Sequence, residues 1–319
     1  MWLMETSQLG SSEITVGRIG LGCMPMNWAY GGESDEAESI RAIHRALDLG
    51  MTLLDTSDVY GPHTNEDLVG RALEGRRERA VVATKVGLVV GPNGGYPLAN
   101  DARPEHIREE IDNSLARLRT DVIDLYQLHR IDPDVPLEES WGTMAELVIA
   151  GKVQTLGLSE ATIGEMRRAQ AIHPVASVQS ELSLWTREHL ADVVPWCREN
   201  GITFIPFSPL GRGFLTGSIT RASFEDMDFR AKNPRFTQEA IDANLAIVER
   251  VRAVGEHHGA TPAQIAIAWT LAQGDHVIPI PGTRRECYVV EDAAAADIRL
   301  TDEDLAQLDA LPEATGTRY

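Results

Sequence analysis

Leu53-Leu54-Asp55-Thr56-Ser57-Asp58-Val59-Tyr60-Gly61 decides how this 319-residue chain is read. A short apolar run ends in a carboxylate, and a tyrosine beside a glycine follows in the same polar loop. Nothing after Leu54 looks built for packing. The segment has the profile of a buried strand that delivers its chain to a polar turn.

The same unit recurs outward from it. Apolar runs fall at residues 19–22, 51–55, 79–84, 122–128, 155–158, 176–179, 202–207 and 276–280. Amphipathic stretches follow at 35–49, 65–73, from 104 onward, and at 137–150, 163–172, 188–200, 238–258 and 262–273, with further helix near 292 and 302. Pro104 stands in an allowed first-turn position, and Gly151 and Gly201 stand where helices commonly end. Strands alternating with helices predict a parallel sheet, and eight of them without a break predict a closed (β/α)8 barrel over residues 1–319 as a single domain. An open sheet would carry a glycine-rich fingerprint after its first strand, and Gly20-Leu21-Gly22-Cys23-Met24-Pro25 does not complete one. Residues 13–16, turned by Gly17-Arg18 into Ile19, read as a hairpin that caps the barrel bottom.

Composition narrows the function classes. A formal charge of −19 argues against nucleic acid or an anionic membrane as partner, but leaves room for a small anion held by local arginines. No apolar stretch approaches the roughly 18 residues needed to span a bilayer, and no signal peptide is expected. Cys23, Cys197 and Cys287 lack metal or redox spacing, so reduced thiols, no metal and a cytoplasmic location are expected. Lysine occurs only at Lys85, Lys152 and Lys232, so a lysine inside an apolar run needs its own explanation.

Active sites of such barrels lie at the C-terminal ends of the strands. The runs end at Asp55, Lys85, His129, Ser159-Glu160, Gln179 and Ser208, and Tyr60 leaves on the same face. Taken singly, an aspartate after a strand is an ordinary turn residue, a loop tyrosine is packing, and a histidine is a satisfied core group. Lys85 is different, because burial penalises its charge unless a carboxylate pairs with it, and Asp55 can be that carboxylate. A phenol with a pKa near 10 is a poor proton donor at neutral pH, and an adjacent ammonium is expected to lower that value. A shift of about three units would correspond to roughly 4 kcal/mol. With His129 orienting a carbonyl oxygen, the set forms an acid site that lacks a reductant, so hydride must come from a cofactor. Thr56, Ser57 and Asp58 are assigned to shaping the loop.

In order and spacing, Asp55-Thr-Ser-x-x-Tyr60-Gly61, Lys85 after Val-Val-Ala-Thr and Leu128-His129 resemble the aldo-keto reductases. The resemblance runs from Gly20 to Thr283. Gly157-Leu-Ser-Glu160, Gln179 to Arg187 and Phe207 to Gly217 are similar to the bacterial, yeast and plant branch that includes pyridoxal reductases and perakine reductase. It implies Tyr60 as general acid, with Asp55, Lys85 and His129 as partners, in NADPH-dependent reduction of an aldehyde or ketone. It implies that Ser159, Glu160 and Gln179 meet the nicotinamide carboxamide beside Cys23, Met24 and Asp55, and that Phe207 stacks on the ring. Ser208, Pro209, Leu210, Gly211, Arg212 and Gly213 would wrap the pyrophosphate. Gly282, Thr283 and Arg285 (or its neighbour Arg284) would hold the ribose 2′-phosphate, and Glu291 and Asp292 the adenine.

Three positions depart from the family pattern. Glu160 stands where asparagine is usual, Phe207 where tyrosine is common, and Asp292 where asparagine is usual. For the substrate, Met24, Trp28, Tyr30 and Trp185, with Tyr60 and His129, suggest an apolar or aromatic carbonyl compound. Two other functions compete: a non-catalytic cofactor-sensing regulatory protein on the same fold, as in potassium-channel β-subunits, and a barrel lyase or isomerase with Lys85 as Schiff-base former. The intact set of four favours the reductase. Oligomeric state is not readable from these residues.

Overall fold

Short apolar runs followed by amphipathic stretches become strands and helices in the order expected. A computed structural model describes residues 4–30, 35–91, 98–225 and 228–318. Its first elements are β1 (Thr6–Gln8), β2 (Thr15–Gly17), β3 (Leu21–Gly22), α1 (Glu36–Asp48), β4 (Leu53–Asp55), α2 (Thr64–Ala72) and β5 (Val81–Val86). A small hairpin, β6 (Leu88–Val89) with β7 (Ala99–Asn100), then precedes α3 (Pro104–Leu118) and β8 (Ile123–Leu128). The alternation continues through α4 (Leu137–Ile149), β9 (Val153–Ser159), α5 (Ile163–Gln170), β10 (Ser177–Glu181), α6 (Val193–Glu199) and β11 (Thr203–Phe207). Four helices finish the chain: α7 (Gln238–His258), α8 (Pro262–Leu271), α9 (Glu286–Ala294) and α10 (Asp302–Asp309).

The strands β3, β4, β5, β8, β9, β10 and β11 pair side by side in parallel. The eighth run closes them, but through isolated bridges rather than a continuous ladder: Val277 with Phe204, Ile280 with Phe207, and Gly282 with Gly22. Its prolines explain this. Ile278 and Ile280 donate to β11, while Pro279 and Pro281 offer only their carbonyls, which accept from Gly20 and Gly22. The fold is a (β/α)8 barrel.

Two further differences have local causes. The N-terminal hairpin is present and plugs the barrel bottom, but β2 pairs with the preceding β1 rather than with the residues after it. Leu9 and Val16 pack there against Leu53, Ala83, Leu125 and Ile205. The helix expected over 188–200 is broken, with a single 3-10 turn at Glu188–Leu190 before α6. Pro195 cannot donate back into a helix running through it, and the Asp192 carboxylate restarts the turn by accepting from Val193 N–H.

Alternation along the strands sorts the interior. Outward residues such as Leu54, Val82, Tyr126, Leu128, Leu156 and Phe204 join the large core under the helices. Inward residues are apolar at the bottom, with Leu53, Ala83, Leu125 and Ile205, and turn polar higher up, with Asp55, Lys85, Gln127, Ser159 and Gln179. Gly157 is required in that layer, because a Cβ would lie 2.3 Å from Ser177 Oγ. The polar end of the interior is where the site lies. No described helix is long and apolar enough to cross a membrane.

Candidate active site

Asp55 ends β4, Lys85 lies in β5, His129 follows β8, and Tyr60 sits in the loop after β4. The barrel brings all four together. Lys85 Nζ donates to Asp55 Oδ1 at 2.6 Å, to the Thr56 carbonyl at 2.7 Å and to Tyr60 OH at 3.3 Å. The lysine is fully buried, with its ammonium 4.9 Å from the centroid of the Tyr60 ring. Burial works against its charge, yet Asp55 and the Tyr60 oxygen outweigh it and hold the pKa above the ordinary lysine value. Asp55 is held in turn: its Oδ2 accepts from Gln179 Nε2 at 2.7 Å and from Gln127 Nε2 at 3.4 Å.

The phenol of Tyr60 corrects one expectation. Burial raises its pKa, Lys85 pulls it down and Asp55 pushes it up, and the balance is upward rather than downward. Tyr60 therefore keeps its proton at neutral pH. His129 is the opposite case: burial first, then the Lys85 and Arg130 charges, hold its pKa well below the ordinary value, so the imidazole is neutral. Ser57 Oγ lies 3.1 Å from His129 Nδ1 and 2.9 Å from Asp58 Oδ1. Ser57 thus does more than shape the loop; it occupies one side of the imidazole. Nε2 has no hydrogen-bond partner among the described residues.

Asp55, Tyr60 and His129 line one cavity of about 710 Å³ that runs on to Arg284, Arg285 and Asp292. Met24, Tyr30, Ser159, Gln179, Phe207, Ser208, Pro209, Leu210, Arg212, Gly213, Gly282, Thr283 and Glu291 also line it. Trp28 stands behind Tyr60, with ring centroids 5.4 Å apart, in a small cluster with Leu88 of the β6–β7 hairpin. Trp185 is placed elsewhere, buried against Phe214 and Phe236 at 4.4 and 5.5 Å. Cys23 is buried off the cavity, and burial, followed by Asp55, pushes its thiol far above the usual range.

The loop after β11 has a run of left-handed residues, with φ of 51° at Ser208, 56° at Gly211, 58° at Arg212 and 91° at Gly213. Such turns can gather backbone N–H groups into an anion-binding concavity. The Arg212 guanidinium is engaged within the protein: Nη2 donates to Glu181 Oε2 at 3.0 Å and Nη1 to the Arg318 carbonyl at 3.1 Å. Glu160 is likewise committed, with Arg318 on one oxygen and the Glu181 N–H on the other. Arg318 itself lies over the Phe207 ring at 5.7 Å. Near the far end of the cavity Asp292 is 3 % exposed, and burial, then Glu291, pushes its carboxyl up to about 8.

Sequence reasoning passed over Arg130, which lines the cavity beside His129. Its position immediately after a strand-end histidine was the available signal. Ser57 was given only a loop-shaping role, since nothing in the sequence shows that it reaches a residue 72 positions away.

The comparisons with known proteins agree with this geometry. The model of the aldo/keto reductase family matches residues 18–313. A probable aldo-keto reductase from Glycine max is 41% identical over 321 aligned residues, which cover 99% of this chain and 92% of that protein. The glycerol dehydrogenase of Gluconobacter oxydans superposes with a TM-score of 0.86 at 32% identity, over 95% of this chain and 94% of that one. An aldo/keto reductase from Klebsiella pneumoniae, solved with NADP and acetate, gives 0.72 at 28% identity, over 96% and 95% of the two chains. The chain belongs to the aldo/keto reductase family.

Proposed function

We propose that the protein reduces an aldehyde or ketone to an alcohol with NADPH, reversibly, and that Tyr60 supplies the proton. One observation carries this: the Lys85 ammonium lies between the Asp55 carboxylate and the Tyr60 phenol, buried behind the cavity wall that those two residues form with a neutral His129. In the tautomer whose Nδ1 accepts the Ser57 hydroxyl proton, His129 Nε2–H would donate to the carbonyl oxygen and fix its position over Tyr60. The Tyr60 phenol would then give its proton to the oxygen as negative charge develops there. The Lys85 ammonium would stabilise the phenolate left behind, and Asp55 would keep that ammonium charged and in place. In the oxidative direction the phenolate would take the alcohol proton.

The residues present fit a nicotinamide dinucleotide. Gln179 spends its N–H on Asp55, so its carbonyl oxygen remains to accept from a carboxamide. Ser159 Oγ accepts from Arg130, so its own proton remains to donate. Phe207 offers a flat apolar face, the backbone of 208–213 an N–H-rich turn, and Thr283 with Arg284 and Arg285 a cationic corner for a phosphate. Glu291 and Asp292 would meet the adenine. NADPH would supply the hydride when bound.

A panel of neutral aldehydes and ketones, each offered with NADPH and with NADH, tests the proposal through loss of reduced-nicotinamide absorbance. NADPH consumption that depends on the carbonyl compound supports it. A protein that binds NADPH but turns over no carbonyl compound would instead be a cofactor-sensing protein.

A further inference from the structure

Arg130 follows His129 directly and lines the cavity beside Tyr60. Its Nη1 donates to the His129 carbonyl at 2.6 Å and to Ser159 Oγ at 3.0 Å. Those bonds fix one corner of the guanidinium. Nε and Nη2 have no hydrogen-bond partner, and no carboxylate lies within ion-pair distance, among the described residues. Two arginines of the same cavity are neutralised, Arg212 by Glu181 at 3.0 Å and Arg230 by Asp228 at 2.7 Å, while Arg284 and Arg285 lie at its far end. The Arg130 charge is felt at the reacting groups, since it acts on both Tyr60 and His129.

A partly buried guanidinium with no counter-charge carries a desolvation cost that an incoming anion would relieve. Its unused edge is a planar fork of N–H donors, the geometry that matches a carboxylate or phosphate with two parallel hydrogen bonds. The overall charge of −19 gives no general attraction for anions, so recognition here must be local.

The geometry points to Arg130 as an anion-binding subsite of the substrate pocket, which selects carbonyl compounds bearing a carboxylate or phosphate near the reacting C=O. This rests on the carbonyl-reducing activity proposed above and names its substrate class. The competing role is purely positional, with Arg130 only orienting His129 and Ser159. That role would lower activity toward every substrate alike.

Paired substrates separate the two. 4-Carboxybenzaldehyde against 4-methylbenzaldehyde, and glyceraldehyde 3-phosphate against glyceraldehyde, are compared in the parent, Arg130→Gln and Arg130→Lys. With a subsite, Arg130→Gln lowers the ratio of kcat/KM for charged over neutral partner by about 10- to 100-fold, mostly through KM, and Arg130→Lys retains part of it. The two pairs show whether carboxylate or phosphate is preferred. An unchanged ratio in both pairs overturns the subsite, while turnover of the neutral aldehydes leaves the reductase proposal standing. If no aldehyde is reduced, calorimetric titration with 4-(hydroxymethyl)benzoate and 4-methylbenzyl alcohol, with and without NADP, still decides. Preference for the carboxylate that vanishes in Arg130→Gln supports the subsite, and equal affinities overturn it.

Discussion

Gln179 Nε2 donates to Asp55 Oδ2 at 2.7 Å, so the carboxylate that anchors Lys85 is itself anchored from the far side of the barrel. Lys85 is therefore positioned through two buried bonds in series. Gln179→Leu removes the outer one and leaves Asp55 with the weaker Gln127 contact at 3.4 Å. A loss of about 1–3 kcal/mol of transition-state stabilisation is expected, roughly 5- to 150-fold in kcat. Steady-state rates with a neutral aldehyde check it. Gln179→Glu should be worse, because it sets a second carboxylate against Asp55.

Lys85→Met should cost stability as well as rate. It strips the counter-charge from Asp55, which is 4 % exposed, and breaking a buried pair from one side typically costs about 3–5 kcal/mol. The double change Lys85→Met with Asp55→Leu should recover part of that stability while remaining inactive. Denaturant midpoints beside turnover numbers separate the two effects. A double variant no more stable than the single one would contradict the buried-pair description.

Asp292 predicts a pH dependence with a definite sign. Its folded-state pKa of about 8 stands above the ordinary aspartate value, so the folded protein keeps a proton that the unfolded chain has released between pH ~4 and 8. Stability at this residue is therefore full below that window and falls as pH rises through it, by up to roughly 1.4 kcal/mol per pH unit. Asp292→Asn should remove that loss, so its advantage in melting temperature should grow from pH 5 to pH 8. The proposed adenine contact adds a second readout. Ionised Asp292 would add negative charge beside an anionic cofactor, so NADPH affinity should weaken above pH 8 in the parent and not in Asp292→Asn, by fluorescence titration.

Glu181 predicts how the C-terminal tail is held. It is 1 % exposed, accepts from Arg212 Nη2 at 3.0 Å and from Arg318 Nε at 2.9 Å, and has Arg235 at 3.9 Å. Glu181→Gln leaves three guanidinium groups around a neutral amide, a loss of roughly 3 kcal/mol. Residues 315–318 should then become an early cleavage site in limited proteolysis, read by mass spectrometry.

The sequence carried the fold and the four residues that the barrel brings together because each announces itself locally. Asp55, Lys85 and His129 each interrupt an apolar run at its C-terminal end, and barrel closure alone brings such ends together. The eighth strand was legible in position but not in pairing, since Pro279 and Pro281 leave only bridges. The direction of the Tyr60 shift was not legible, because an ammonium on the neighbouring strand is visible in a sequence and full burial of the phenol is not. Arg318 was out of reach for a plain reason: its partners Glu160 and Glu181 lie 158 and 137 residues earlier. Trp185 looked like a pocket wall by residue type, and only packing against Phe214 and Phe236 shows it serving the core.

Tyr60→Phe tests the central claim most directly, by single-turnover reduction of a neutral aldehyde with NADPH already bound. The ring, its contacts with Trp28 and the cavity shape persist, and only the phenolic proton is lost. The rate should fall at least a hundredfold, while NADPH affinity measured by fluorescence titration changes less than twofold. A Tyr60→Phe protein that reduces the aldehyde as fast as the parent would show that the proton comes from another group.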